Sequence, residues 1–294
     1  VGLRNEIERT FRNHGWKVDV GEHRWDHREL GESGYIDLVV SHSQYIFTLL
    51  VECKRMREGN WIFLTPEGAS PNCSRLSAFH TAQETHQAED MAAGAANDVY
   101  WWGDAHFLPA SPEAEFCVMK GQDERNPMLE KIADGLLPAV EAVGLEYLAL
   151  NSRGGGGGEN RLFLPVIATN AELWTATCDP TNISMKNGEL EVDKCEFASV
   201  PFIRFRKSLS THYPSHLTHS ISRKQGQASL KEAAEGNERT ILVIHSLAIS
   251  DTLKAAQDSR EHGPFVRAAI LCHSQRHAEK LKQAASVRSS HAAV

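Results

Sequence analysis

Apolar positions come at four-residue intervals at the start of the chain, where Leu3, Ile7 and Phe11 share one face of a helix over residues 3–14. Gly15 is a natural stop for it. The pattern then shifts to short apolar runs. Trp16–Val20 reads as a first strand, GESG at 31–34 as a turn, and YIDLVV (35–40) as a second strand. A polar break, SHSQ (41–44), leads into YIFTLLVECKR (45–55). Two apolar runs joined by so short a connection predict an antiparallel hairpin whose second strand is buried at its centre.

Farther along, glycines, prolines and an Asn-Cys-Ser run predict a loop over 57–74, and alanine and glutamine predict a helix over 75–97. EFCVMKG (115–121) is a short strand candidate. From Pro127 to Leu150, Leu129, Ile132, Ala133, Leu136, Leu137, Val140 and Val143 recur at three and four, predicting a helix that Gly135 and Pro138 would bend. Gly154–Gly158 lack the Lys-Ser or Lys-Thr ending of a phosphate-binding loop and read as a flexible connection. Strands are expected at 162–169, 172–178, 200–206 and 240–247, with a short helix at 249–258 and a polar helical tail from Arg276. Interleaved strands and helices without an internal repeat define an α/β class with a mixed sheet.

Composition narrows this picture. A chain of 294 residues, 41% hydrophobic, can bury a large core without disulfide staples, as one elaborated domain or a domain plus an appendage. No apolar run is long enough to cross a bilayer, and VGLRNEIERTF lacks a signal-peptide pattern, so a soluble cytoplasmic protein is expected with no membrane partner. Six cysteines, at 53, 73, 117, 178, 195 and 272, show no C-x-x-C pair and are expected to be reduced. The net charge of −7 excludes a protein that coats nucleic acid nonspecifically. Phosphate contact would have to be local. Phe197–Lys231 contains no Asp or Glu but holds Arg204, Arg206, Lys207, Arg223, Lys224 and Lys231. In VPFIRFRKS, alternation is expected to send Ile203 and Phe205 to one face and Arg204 and Arg206 to the other, where they either solvate an outer face or, with Lys207, guide a nucleic-acid backbone.

The chemistry concentrates in the hairpin. Glu52 and Lys54 stand two apart on a strand and so share a face, and folding 35–40 back on 45–54 brings Asp37 beside Glu52. A carboxylate and an ammonium at the end of a buried strand carry a desolvation cost, although a solvated salt bridge is the bland alternative. Two carboxylates with the Cys53 main-chain carbonyl make an all-oxygen site suited to Mg²⁺ or Mn²⁺. Lys54 would stand next to a metal-activated water.

The order helix, strand, GYIDLVV, strand, VECKR resembles the PD-(D/E)XK nuclease superfamily, with Ile36 where the name-giving proline would stand. The likeness covers residues 1–55 and, more loosely, the helix at 127–150 and the strand at 162–169. It implies a restriction endonuclease-like mixed β-sheet flanked by helices: a core over 1–215 with an insertion at about 57–125, then an extension over 216–294 contributing a strand and helices. It further implies catalysis by Asp37, Glu52 and Lys54, and a metal-dependent nuclease acting on DNA, an endonuclease of restriction or anti-phage defence. Relatives often add a glutamate from the first helix, which makes Glu6 the candidate metal ligand ahead of Glu8, or a glutamine from a later helix, here Gln83 or Gln87.

A double-strand cutter built on one such site needs a homodimer or a partner. The competing reading is a catalytically silent nuclease-fold subunit that binds DNA or scaffolds a separate NTPase or helicase, since this chain has no Walker motif. His273 and His277, like His80 and His86, lack metal-ligand spacing and are expected at the surface. Trp101 and Trp102 are expected in packing, with base stacking as the alternative.

Overall fold

The computed structural model describes residues 2–42, 47–57, 59–65, 73–85, 96–119, 128–153, 161–177, 195–209 and 238–258. Helix α1 (Gly2–Asn13) buries Ile7 and Phe11, and Gly15 leaves it at a φ of +77°, a left-handed turn that glycine adopts without a Cβ clash. Strands β1 (Lys17–His27), β2 (Glu32–Ser41) and β3 (Phe47–Lys54) follow as an antiparallel meander. Strand β9 (Arg161–Thr169) runs parallel to β3, and β13 (Glu238–His245) runs parallel to β9. Strand β12 (Phe202–Ser208) is antiparallel to β13, and β7 (Glu113–Ala114) closes the order β1-β2-β3-β9-β13-β12-β7. The fold is α/β with a large mixed sheet.

Helix α2 (Met128–Arg153) covers one face of this sheet, packing Leu129, Ala133, Leu136, Leu137 and Val140 into a core with Leu50, Ile167 and Val243. Pro138 lies inside it, so one main-chain hydrogen bond is forgone within the helix. Gly144 is the contact point, because a Cβ there would stand 2.5 Å from the Phe79 ring. The opposite face carries α1 and helix α3 (Ile249–Asp258), whose Ile249 and Leu253 join Ile7, Phe11, Leu38, Val51 and Leu242. Strands β9 and β13 supply side chains to both clusters, which is why each reads as a continuous apolar run.

Two expectations fail between residues 57 and 111. The predicted loop contains β4 (Asn60–Thr65), which lies in a second sheet of order β11-β10-β4-β8, with β8 (Phe116–Met119), β10 (Glu172–Thr177) and β11 (Glu196–Ser199). The predicted helix over 75–97 is instead strand β5 (Cys73–Thr85), paired antiparallel to β6 (Ala96–Ser111) and to β9 through Phe79 and Phe163. Leu76, Ser77, Ala78, Phe79, His80 and Thr81 are all buried, so both faces are covered and no two-residue alternation marks the strand. Gln83 therefore stands on a strand rather than a helix, and Gln87 lies outside the described residues.

Strand β13, from the expected C-terminal extension, sits between β9 and β12 in the main sheet, while the expected boundary at 215 lies outside the described residues. So do Gly154–Gly158, His86, His273, His277, the tail from Arg276 and the basic positions Arg223, Lys224 and Lys231. Cys53, Cys73 and Cys117 are free thiols, but Cys195 is disulfide-bonded, contrary to the expectation of reduced cysteines throughout. Among the described residues no helix is long and apolar enough to cross a membrane.

Candidate active site

The β2–β3 pairing runs from Ser41 opposite Thr48 to Leu38 opposite Val51, and one further step sets Asp37 across from Glu52. There the carboxylate of Asp37 takes part in the pairing itself: the Cys53 N–H donates to Asp37 Oδ2 at 2.7 Å. The N–H and C=O of one strand residue project toward the same neighbour, so the Cys53 carbonyl also heads toward β2. On the far side β3 is held by β9, with Lys54 paired to Thr169. Lys54 Nζ lies 2.6 Å from Glu52 Oε1. The structure thus brings Asp37, Glu52, Lys54 and the Cys53 main chain together at one strand end.

Burial raises the Glu52 carboxyl above its ordinary value; the Lys54 hydrogen bond and charge oppose the shift, and the Asp37 charge adds to it. Glu52 is therefore a carboxylate whose one ammonium partner does not offset its desolvation. Burial also pushes the Cys53 thiol up, helped by the charges of Asp37 and Glu52, so sulfur stays protonated and only oxygen donors are offered. Among the described residues no third Asp, Glu, His or Cys completes a metal-holding group with this pair. Glu6 is exposed, with its carbonyl accepting from Thr10 Oγ1 at 3.0 Å, and Glu8 pairs with Arg12 at 2.6 Å. From helix α1 it is Arg4 whose charge reaches Cys53.

Three neighbours escape a reading of the sequence. Arg4 is ion-paired to Glu22, which the β1–β2 register sets across from Asp37 and which has a φ of +56°, the one positive φ at a non-glycine among the described residues. The Gly21-Glu22 step in an otherwise extended run is the sole local hint of it. Asn170, just past β9, accepts from Met56 N at 2.7 Å and donates to Met56 O at 2.9 Å, clamping the chain two residues beyond Lys54.

The basic strand does not do what its alternation predicts. Phe202, Ile203, Arg204 and Phe205 are all buried, because β12 is covered on both faces. Arg204 is 0% exposed, donates to the Arg75 carbonyl at 2.8 Å and to the Ser111 hydroxyl, and burial lowers its pKa to about 10. Arg206 is ringed by Glu113, Glu115 and Glu238, and Lys207 by Glu130 and Asp134. Acids distant in sequence thus pair with the two cations Arg206 and Lys207 of a stretch that is acid-free only locally. Arg204 does not turn outward as the alternation predicts, while Arg206 and Lys207 are partly exposed and engaged by carboxylates of neighbouring elements.

A buried polar cluster lies elsewhere on α2. Glu141 accepts from the Trp102 indole and pairs with His27 at 2.9 Å, while the Arg239 guanidinium lies 5.0 Å from the Trp102 ring centroid. Trp102 is thus a packing residue, and His80, expected at the surface, is buried. Comparison with protein-family models, with curated proteins and with solved structures finds no match to this chain.

Proposed function

We propose that this chain is a metal-dependent nuclease of restriction endonuclease-like fold that hydrolyses phosphodiester bonds in DNA. The observation that carries the reading is the meeting of Asp37, Glu52 and Lys54 at the end of β3, with a half-buried Glu52 whose pKa is raised beside a second carboxylate. Two carboxylates in a partly desolvated corner repel each other, and a divalent cation relieves that repulsion. Asp37, Glu52 and the Cys53 carbonyl would hold Mg²⁺ or Mn²⁺, which when bound activates water and neutralises phosphate charge.

The chain's own groups divide the remaining work. The main-chain N–H of Cys53 fixes the Asp37 carboxylate, so its free oxygen is presented in one orientation. Lys54, partly exposed beside Glu52, offers an ammonium to the developing negative charge on a phosphoryl oxygen and orients a water. Strand β9 fixes the backbone of Lys54, which matters because a misplacement of about 1 Å at such a centre can cost on the order of 10²-fold in rate.

The test is conversion of supercoiled plasmid to nicked or linear DNA in Mg²⁺, compared for the wild type, Asp37→Asn and Lys54→Ala. Cleavage by the wild type that both substitutions abolish, with far-UV spectra unchanged, is the expected result. A wild type inert in Mg²⁺ and in Mn²⁺ on duplex and single-stranded DNA would leave the silent-subunit reading in its place.

A further inference from the structure

We propose that Arg55 and Arg57, set on either side of a clamped Met56, form a phosphate-binding rim that seats a DNA backbone against the Asp37–Glu52–Lys54 corner. The inference deepens the nuclease reading and rests on it for the identity of the polyanion.

The first support is position. The run Lys54-Arg55-Met56-Arg57 places three cations within four residues beginning two positions after Glu52, in a protein with a net charge of −7. A polyanion approaching two carboxylates meets repulsion, and positive charge next to the corner is what offsets it.

The second is availability. Arg4 and Arg12 are held by carboxylates, Arg206 by three of them, and Arg204 and Arg239 are buried. Arg55 and Arg57 are both exposed, and neither is in an ion pair or side-chain hydrogen bond among the described residues. Arg9 on α1 is also exposed, but it belongs to a helix rather than to the end of β3, which makes it a control.

The third is rigidity. Met56 packs its side chain against the core while the Asn170 amide pairs with both its N–H and its C=O, at 2.7 and 2.9 Å. A side-chain amide thus continues the β3–β9 ladder beyond Lys54 and Thr169 by one more pairing. The backbone that carries both arginines is ordered before any ligand arrives, which reduces the entropy lost on binding. Guanidinium groups held this way grip phosphate oxygens and set the register of a duplex without reading its bases.

The experiment is fluorescence anisotropy of a labelled DNA duplex with the full chain in EDTA, over a series of salt concentrations. EDTA removes metal-dependent cleavage, so the rim is tested apart from catalysis. The Arg55→Ala/Arg57→Ala variant is expected to lose roughly tenfold or more in affinity, and its log–log salt slope to shrink by about two, near one per phosphate contact. Arg9→Ala should match the wild type. Arg55→Gln/Arg57→Gln keeps the aliphatic stems and serves if the alanine pair does not fold. Unchanged affinity and slope in a folded double variant, or no duplex binding by the wild type, overturns the proposal. Failure of the nuclease reading would appear separately, as wild-type binding without Mg²⁺-dependent cleavage.

Discussion

His27 and Glu141, 114 positions apart in sequence, meet at 2.9 Å between β1 and α2, and both are buried. Burial opposes charging of His27, but the Glu141 hydrogen bond and charge, with the charge of Glu29, outweigh it and raise the pKa above 6.5. The folded state therefore holds this proton more tightly than the unfolded chain. The stability it contributes is complete below about 6.5 and is lost as pH rises through the folded-state value. Glu141→Gln should lower stability by about 1.5–3 kcal/mol below that pH, with the deficit shrinking at higher pH. Thermal melts from pH 5.5 to 8.5 measure it, and a deficit independent of pH would refute the coupling.

Glu52 is expected to weaken the fold that it equips. Its folded pKa lies above the ordinary 4.5, so its contribution to stability is present below that value and lost as pH rises through the folded pKa. At neutral pH Glu52→Gln should therefore raise the Tm, and the gain should vanish near pH 4. Equal or lower Tm for the variant at pH 7 contradicts this account.

Divalent cation binding supplies an independent readout. Mg²⁺ or Mn²⁺ at about 100 times its Kd should stabilise the wild type by roughly 2.7 kcal/mol, since it binds only the folded corner. Asp37→Asn and Glu52→Gln should lose that increment. A melting curve that ignores both cations in the wild type would remove the metal from the proposal.

Arg204 should behave as a core residue. Arg204→Ala strips a fully buried side chain from the Arg75 carbonyl and the Ser111 hydroxyl and opens a cavity, at a cost of about 3 kcal/mol or more. Arg206→Ala, partly exposed among Glu113, Glu115 and Glu238, should cost less and leave DNA affinity unchanged. Chemical denaturation and anisotropy together check the pair; reduced DNA affinity in a stable Arg206→Ala protein would restore β12 as a binding surface.

Gly144 reports on the packing of α2 over the sheet. An alanine Cβ would meet Phe79 at 2.5 and 2.8 Å and Phe163 at 3.3 Å, so helix and ring must separate. Gly144→Ala should destabilise by about 1–3 kcal/mol although alanine favours a helix. Gly135, with nothing within 4 Å of its added Cβ, should instead tolerate alanine or gain from it. A Tm ranking of the two variants in the reverse order would place the contact elsewhere.

The sequence by itself determined the elements whose faces differ. The four-residue spacing of Leu3, Ile7 and Phe11 specified α1, and the spacing from Leu129 to Val143 specified α2. The apolar runs at 35–40 and 45–55, broken by polar SHSQ, specified a hairpin able to bring Asp37 beside Glu52, with Lys54 on the face of Glu52, and the observed register does so. Periodicity reports a face turned toward a core, and a hairpin's register follows from short-range pairing. Only tertiary structure decided what long-range neighbours cover. Strand β5 overrode the helical preference of its alanines and glutamines because β6 and β9 pair with its edges while the side chains on both its faces are buried. Arg204 went inward because covered strands have no outer face, and Arg206 and Lys207 met acids from β6–β8 connections, β13 and α2. Asn170 and Glu22 joined the site by pairing across strands, over separations that no local pattern of polar and apolar residues encodes.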